Sequence, residues 1–343
     1  MSPGIVFEDQ EVKKYLSSHF NLPLKEKIPP KVKKKKIIVI AGPTCVGKTR
    51  RSLTIAHALG GEVISADSMQ VYRGMDIGTA KASLEDRTRI PHHLIDIKDI
   101  SERFNVVDFY EEATKAIHEI TAKDHVPIVV GGTGFYIHCL IYGPPRGPPS
   151  VMEVRASLEE EMKNLGSAVM FERLHKLDPE YANTITQSDK QKIIRALEII
   201  SLTNQKVSQI AYGLEKREDY DFRCWFLYMP KEILYPRIEM RCDEMIANGL
   251  INEVETLEKM GLRSNSSASQ AIGYRQCLKY LNSSKSSQDF DEFVASFKQA
   301  SRRYAKRQFT WFRKEPLFRW LNVDELSLEN SIEMIIQDYE LSF

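Results

Sequence analysis

At 343 residues the chain has room for about two domains of ordinary size. Its 42% hydrophobic and 28% charged content suits a soluble globular protein with a real core. A net charge of +1 excludes a global field for nucleic acid, so any such site has to come from local clustering.

No apolar run approaches the roughly 20 residues of a membrane span. Residues 1–20 carry acids among their hydrophobics and lack a signal-peptide core. Cys45, Cys139, Cys224, Cys242 and Cys277 form no C-x-x-C pair and no close cluster. That argues against a zinc site or a disulfide framework and for a reducing, cytoplasmic setting.

Residues 1–36 read as an N-terminal extension. Pro23, Pro29 and Pro30 interrupt it, leaving a short helix from Glu8 to Phe20. The run Lys31-Val32-Lys33-Lys34-Lys35-Lys36 reads as a solvated lead-in to the first strand, with RNA contact the alternative. Ile37 to Ala41 is β-branched and fully apolar, as a buried parallel strand requires. Gly42-Pro43-Thr44-Cys45-Val46-Gly47-Lys48-Thr49 follows, then a helix from Arg50 to Leu59 ended by Gly60-Gly61. Strand, glycine-rich turn and helix make a phosphate cradle. Backbone N–H groups point at the anion, Lys48 reaches the terminal phosphates, and the Thr49 hydroxyl can ligate Mg²⁺. The loop does not say which phosphate, since an isoprenoid diphosphate offers the same groups as the tail of ATP.

Glu62 to Ala66 reads as a second strand with Asp67 at its carboxyl end, the end that faces the ligand crevice in an open α/β sheet. There Asp67 is a base, a Mg²⁺ partner or the cap of a following helix. Met69 to Lys81 is a polar loop. Pro91 to Asp96 precedes another short strand, and its adjacent histidines point to opposite sides, as structural residues rather than a metal pair. Val107 to Ala122 is a helix with Val107, Tyr110, Ala113 and Ile117 on its apolar face. Val126 to Val130 is a third buried strand, and Gly131-Gly132-Thr133-Gly134 aims Thr133 into the same crevice.

The texture changes at Gly143-Pro144-Pro145-Arg146-Gly147-Pro148-Pro149, a stiff boundary. Val151 to Tyr212 reads as helices only, with Leu158, Met162 and Leu165 inward. Phe222 to Met229 returns to the sheet, and Pro230 to Met260 is helical, with Arg237 and Arg241 four apart. The last long helix, Asp289 to Phe312, carries Arg302, Arg303, Lys306 and Arg307 as a basic stripe extended by Gln308, Thr310, Trp311 and Arg313. Such a stripe suits phosphate contact with base stacking, or simply a solvated face over Phe297, Ala300 and Tyr304. The fold class expected is α/β, a P-loop kinase-like parallel sheet core with an inserted all-helical domain. Its boundaries are 37–145 for the first part of the core, 146–215 for the insertion and 216–343 for the rest.

Together these segments resemble the tRNA dimethylallyltransferases, also called tRNA isopentenyltransferases, of bacterial type. The resemblance rests on residues 42–49, Ser65-Ala66-Asp67-Ser68, Gln70 to Lys81, Pro91-His92-His93 and Val130 to Tyr136. It continues through Arg195-Ala196-Leu197-Glu198, Ile272-Gly273-Tyr274-Arg275 and Ala305 to Trp311, in family order. It implies transfer of a dimethylallyl group from dimethylallyl diphosphate to the adenine at tRNA position 37. The partners implied are the anticodon stem-loop, dimethylallyl diphosphate and Mg²⁺, for a monomer with no membrane attachment. Carried over, Gly42, Thr44, Cys45, Val46, Gly47, Lys48 and Thr49 would hold the diphosphate, with Thr49 on the metal. Asp67 would be the general base, with Lys48 and Thr133 the other catalytic residues. Asp67, Ser68, Met69 and Gln70 would meet the tRNA, and Arg155 would flank the reaction channel with Thr133. Gln191, Lys192, Arg195, Gln270, Gly273, Tyr274, Arg275, Lys306 and Arg307 would grip the RNA. Lys192 stands where the family often has Arg, which keeps charge but loses bidentate geometry. The extension has no usable family counterpart, and the zinc finger of eukaryotic members is absent. An isopentenyltransferase acting on free adenine nucleotides is the nearest alternative, followed by a small-molecule kinase and a non-catalytic RNA-binding module.

Overall fold

The structure is a computed structural model that describes residues 34–210 and 217–341. The expected helix Glu8–Phe20, the first half of the lysine run, residues 31–33, and the end of the segment reaching Tyr212 lie outside these residues. Lys36–Phe343 form one compact unit.

Among the described residues six strands form one sheet: β1 (Lys35–Ala41), β2 (Gly61–Ala66), β3 (His92–His93), β4 (Val126–Gly131), β5 (Tyr220–Tyr228) and β6 (Arg319–Asn322), in the order β3-β2-β4-β1-β5-β6. The pairs β2–β3, β2–β4, β1–β4 and β5–β6 run parallel, with Ala41 and Ala66 both level with Gly131. Ile37 to Ala41 and all of β2 are buried, because helices cover both faces. The chain leaves β1 towards β2 and leaves β4 towards β5, in opposite directions across the sheet. A crevice therefore opens at the carboxyl ends of these two neighbouring strands.

Helix α1 (Lys48–Leu59) starts at Gly47, whose φ of 86° only glycine adopts cheaply, and ends at Gly60, which donates to Ala56. After α2 (Leu84–Arg89) comes α3 (Val106–Ala122), capped by Asn105 in a capping box with Asp108. Its buried stripe is Phe109, Ala113, Ala116, Ile117 and Ile120. Val107, expected inside, sits in the exposed first turn, 39% accessible. The short strand expected after Asp96 is instead His92–His93 itself. His93 Nε2 meets Glu62 at 2.6 Å, a structural partnership.

Helix α4 (Gly134–Tyr142) leads to the insertion: α5 (Met152–Leu177), α6 (Pro179–Ala182) and α7 (Lys190–Thr203). These pack on their own apolar cluster, which includes Leu158, Met162, Met170, Leu174, Ile193 and Leu197. Leu165, expected inward, is 54% accessible. Gly166, at φ 81° and ψ 163°, breaks the helix beside it, so the stripe of Leu158 and Met162 does not continue in register. The expected single helix after Pro230 is two, α8 (Lys231–Ala247) and α9 (Leu250–Lys259), separated by Gly249 at φ 99°. Then follow α10 (Tyr274–Leu281), α11 (Ser287–Phe312) and α12 (Leu328–Glu340). Helix α11 buries Phe293, Phe297, Ser301, Ala305, Gln308 and Phe312. Gln308, expected to extend the exposed stripe, is therefore on the buried face instead, and Ala300 is only partly covered.

Candidate active site

A cavity of about 580 Å³ occupies the crevice. Thr44, Cys45, Gly47, Lys48 and Thr49 form one wall, and Asp67, Ser68, Met69 and Gln70 the next. Gln270, Ala271, Ile272 and Tyr274 stand opposite, with Tyr304, Arg307 and Gln308 of α11 closing it.

The phosphate end follows from local geometry. The glycine start of α1 has no side-chain cap, so the first-turn N–H groups remain free for an anion. Lys48 Nζ donates to the carbonyls of Gly42 and Pro43 at 2.8 Å each. Burial and the neighbouring Arg241 pull its pKa down to about 8, against the opposing pull of Asp67. Arg241, from α8, places Nη1 3.5 Å from the Thr44 hydroxyl and 3.9 Å from Cys45 Sγ. The sequence had shown only an i,i+4 arginine pair and given it no task. Val46 is buried core rather than cavity wall, and Gly42 packs where a Cβ would meet the Leu227 carbonyl at 2.5 Å.

Asp67 Oδ1 accepts from the amides of Met69 at 2.8 Å and Gln70 at 3.3 Å. No α-helix follows, so this is a turn cap and not a helix cap. Burial raises the Asp67 pKa, while those amides, Lys48 and Arg241 hold the rise in check. Thr133 Oγ1 accepts from the Ser68 amide at 3.3 Å and interacts with Tyr304. It supports the Asp67 turn from behind and does not itself line the cavity. Burial and the Asp67 charge push Tyr304 up to about 12, which keeps its hydroxyl a neutral donor. Gln308 donates to the Gly132 carbonyl at 3.0 Å, and its own buried Oε1 has no partner among the described residues.

The RNA-side candidates divide. Gln270 and Tyr274 line the cavity, and Arg307 reaches it from over the Tyr304 ring, 5.4 Å from the ring centre. Tyr274 is fully buried, so it is a wall and not a surface grip. Gly273, at φ 89°, packs against Phe297, while Arg275 and Lys306 are exposed outside the cavity. Arg155, Gln191, Lys192 and Arg195 are not brought to the cavity either. Within the insertion Arg155 Nη2 donates to Gln191 at 2.5 Å, and Arg195 pairs with buried Glu198 at 2.7 Å. Chemically the cavity pairs an anion cradle and the cations Lys48 and Arg241 with an adjacent carboxylate, Arg307 being a third cation at its α11 side. It can stabilise a phosphate-type leaving group while a nucleophile gives up a proton.

Known proteins of similar sequence and fold point to one family. The family model described as IPP transferase matches residues 70–315. A tRNA dimethylallyltransferase of Protochlamydia amoebophila is 58% identical over 337 residues, covering 97% of this chain and 98% of its own. That span takes in most of the N-terminal extension, so the expectation that the extension lacks a counterpart is corrected. The solved full-length tRNA isopentenylpyrophosphate transferase of Bacillus halodurans is 39% identical, with a TM-score of 0.64 over 90% of this chain and 97% of that one. A eukaryotic dimethylallyltransferase acting on tRNA is 28% identical, with a TM-score of 0.73 over 90% of this chain and 81% of that one.

Proposed function

The chain belongs to the IPP transferase family, and we infer that it transfers a dimethylallyl group from dimethylallyl diphosphate to the exocyclic amine of adenine at position 37 of tRNA, releasing diphosphate. The observation that carries this is the position of Asp67, in one cavity with the cations Lys48 and Arg241 on one side and the Gln270–Tyr274 wall on the other. The amine's lone pair is delocalised into the ring, so attack needs a base. As the new N–C bond forms at the allylic carbon, the C–O bond to the diphosphate breaks and its electron pair leaves with oxygen. The amine proton passes to Asp67, whose Oδ1 is engaged by its own loop, so Oδ2 is the receiving atom.

Residues 44–49, with Lys48 and Arg241, hold the diphosphate and offset its developing charge. Thr133 keeps the Asp67 turn in place. Among the described residues no group of three His, Cys, Asp or Glu side chains forms a metal cage. The Thr49 hydroxyl in the same cavity nevertheless suits Mg²⁺, which needs few protein oxygens and would complete its shell with phosphate and water. Bound there, Mg²⁺ would neutralise charge on the leaving group. The target base leaves the anticodon-loop stack to enter, at a cost of about a few kcal/mol for an unpaired base. Arg307, Lys306, Arg275 and the insertion residues Arg155, Gln191, Lys192 and Arg195 receive the surrounding RNA.

Labelled dimethylallyl diphosphate offered with tRNA, and separately with AMP, ADP and ATP, tests the reading. Label is expected on tRNA alone. Label on free nucleotides at a comparable rate would assign the protein to the nucleotide-prenylating enzymes instead.

A further inference from the structure

Glu253, on α9, has no part in the chemistry above, yet its carboxylate is fully engaged beside the cavity. Oε2 accepts from the amides of Asp76 at 2.9 Å and Ile77 at 2.7 Å. Oε1 accepts from the Gly78 amide at 3.1 Å and from the Tyr274 hydroxyl at 2.5 Å. Three successive amides make an anion nest, and a side chain 175 to 177 positions later fills it. Tyr274 closes the arrangement from the other side. Its ring lies so near Gly78 that a Cβ there would stand 2.5 Å from Cε2.

The clamped loop continues into Thr79, whose carbonyl accepts from Gln70 Nε2 at 3.2 Å. Gln70 Oε1 accepts in turn from the Ser65 hydroxyl at 2.8 Å, which fixes the amide's orientation. Gln70, Gly78, Thr79 and Tyr274 all line the cavity. We propose that Glu253 and Tyr274 are positioning residues: they pin the 76–79 loop and, through the Thr79 carbonyl, aim the Gln70 amide at the entering nucleobase. The pair governs acceptance of tRNA and leaves diphosphate binding, at the opposite wall, untouched. This rests on the functional reading above.

A double-mutant cycle on the full chain tests it. Glu253→Gln offers one acceptor oxygen in place of two and turns an NH₂ towards amide donors. It is expected to lower kcat/KM for tRNA at least about tenfold, with Tyr274→Phe smaller in the same direction, as befits groups sharing one network. Affinity for dimethylallyl diphosphate should not change, and Glu253→Asp should recover part of the loss. In a Gln70→Ala background, Glu253→Gln should add less than about threefold, because the route through Gln70 is already gone. A full multiplicative loss in that background, or an equal loss of diphosphate affinity, would overturn the proposal. If Glu253→Gln does not fold, Tyr274→Phe carries the same cycle. If the parent protein does not prenylate tRNA, the functional reading falls by itself. Hydrogen exchange of the 76–79 amides then judges the clamp, and unchanged exchange in both variants overturns it.

Discussion

Asp67 commits one carboxylate oxygen to its own loop and keeps the other for the substrate. Asp67→Asn preserves the accepting oxygen and the turn but cannot take a proton, so single-turnover transfer should fall by roughly 10²–10⁴-fold with tRNA binding intact. A folded Asn variant near the parent rate would remove Asp67 as the base. Because burial raises its pKa, the parent's acid limb should lie above the ordinary carboxylate range, with activity lost as pH falls through it. Lys48 gives the opposite limb. It is cationic below about pH 8 and neutral above, so kcat/KM for the diphosphate should decline as pH rises through 8. Arg241→Ala removes one cation that depresses Lys48, so this limb should move upwards while KM for the diphosphate increases. A limb that stays put or moves down would separate Arg241 from Lys48. Lys48 and Asp67 were legible because strand and turn chemistry set their places within a few residues. Arg241 and Glu253 were not, because only the packing of α8 and α9 against distant loops gives them neighbours.

Helix α11 carries both a surface and a seam. On the surface, Arg302 is already paired with Glu239, whereas Arg303, Lys306 and Arg307 have no ion pair among the described residues. Neutralising those three should flatten the log–log salt dependence of tRNA binding by about 2 to 3, at 0.7–0.9 per lost phosphate contact. Arg302→Gln should change the slope far less. An unaltered slope in the triple variant would return the stripe to a merely solvated face. At the seam, a Cβ on Gly134 would lie 2.3 Å from Trp311 Cδ1, and one on Gly132 would lie 2.1 Å from Gln308 Nε2. Gly134→Ala should therefore cost about 1–3 kcal/mol in thermal or denaturant unfolding and weaken tRNA binding. Stability equal to the parent's would mean that Trp311 moves aside freely. Arg303, Lys306 and Arg307 are exposed as expected, but Gln308 was assigned to the stripe for its polarity although its spacing from Ser301, Ala305 and Phe312 puts it on the buried face, where a glycine carbonyl accepts its amide.

Across the whole molecule, the groups proposed for the reaction gather at the carboxyl ends of the strands, and a separate polar network holds their opposite ends. Glu62, buried in β2, meets His93 at 2.6 Å, His125 at 2.7 Å and Lys123 at 3.1 Å. Burial alone would raise its pKa, but these bonds outweigh it and take it down to about 2 from an ordinary 4.5. Its contribution to stability is thus complete above pH 4.5 and lost as pH falls towards 2. Glu62→Gln should flatten unfolding free energy over that window and leave transfer at neutral pH intact; an unchanged acid slope would exclude the network as its source. Strands β1, β2 and β4 were legible from their apolar, largely β-branched runs, β5 from its aromatic one, and the phosphate loop from its glycines; the two-residue strand at His92 and the four-residue β6 were not, being too short to carry a period. The seam between β4 and α11 also bears on descent. Gly132 and Gln308, like Gly134 and Trp311, fill space that only one partner of each pair can occupy. A lineage can enlarge one only by shrinking the other, so residues more than 170 positions apart should be inherited as coupled pairs, altering together or not at all.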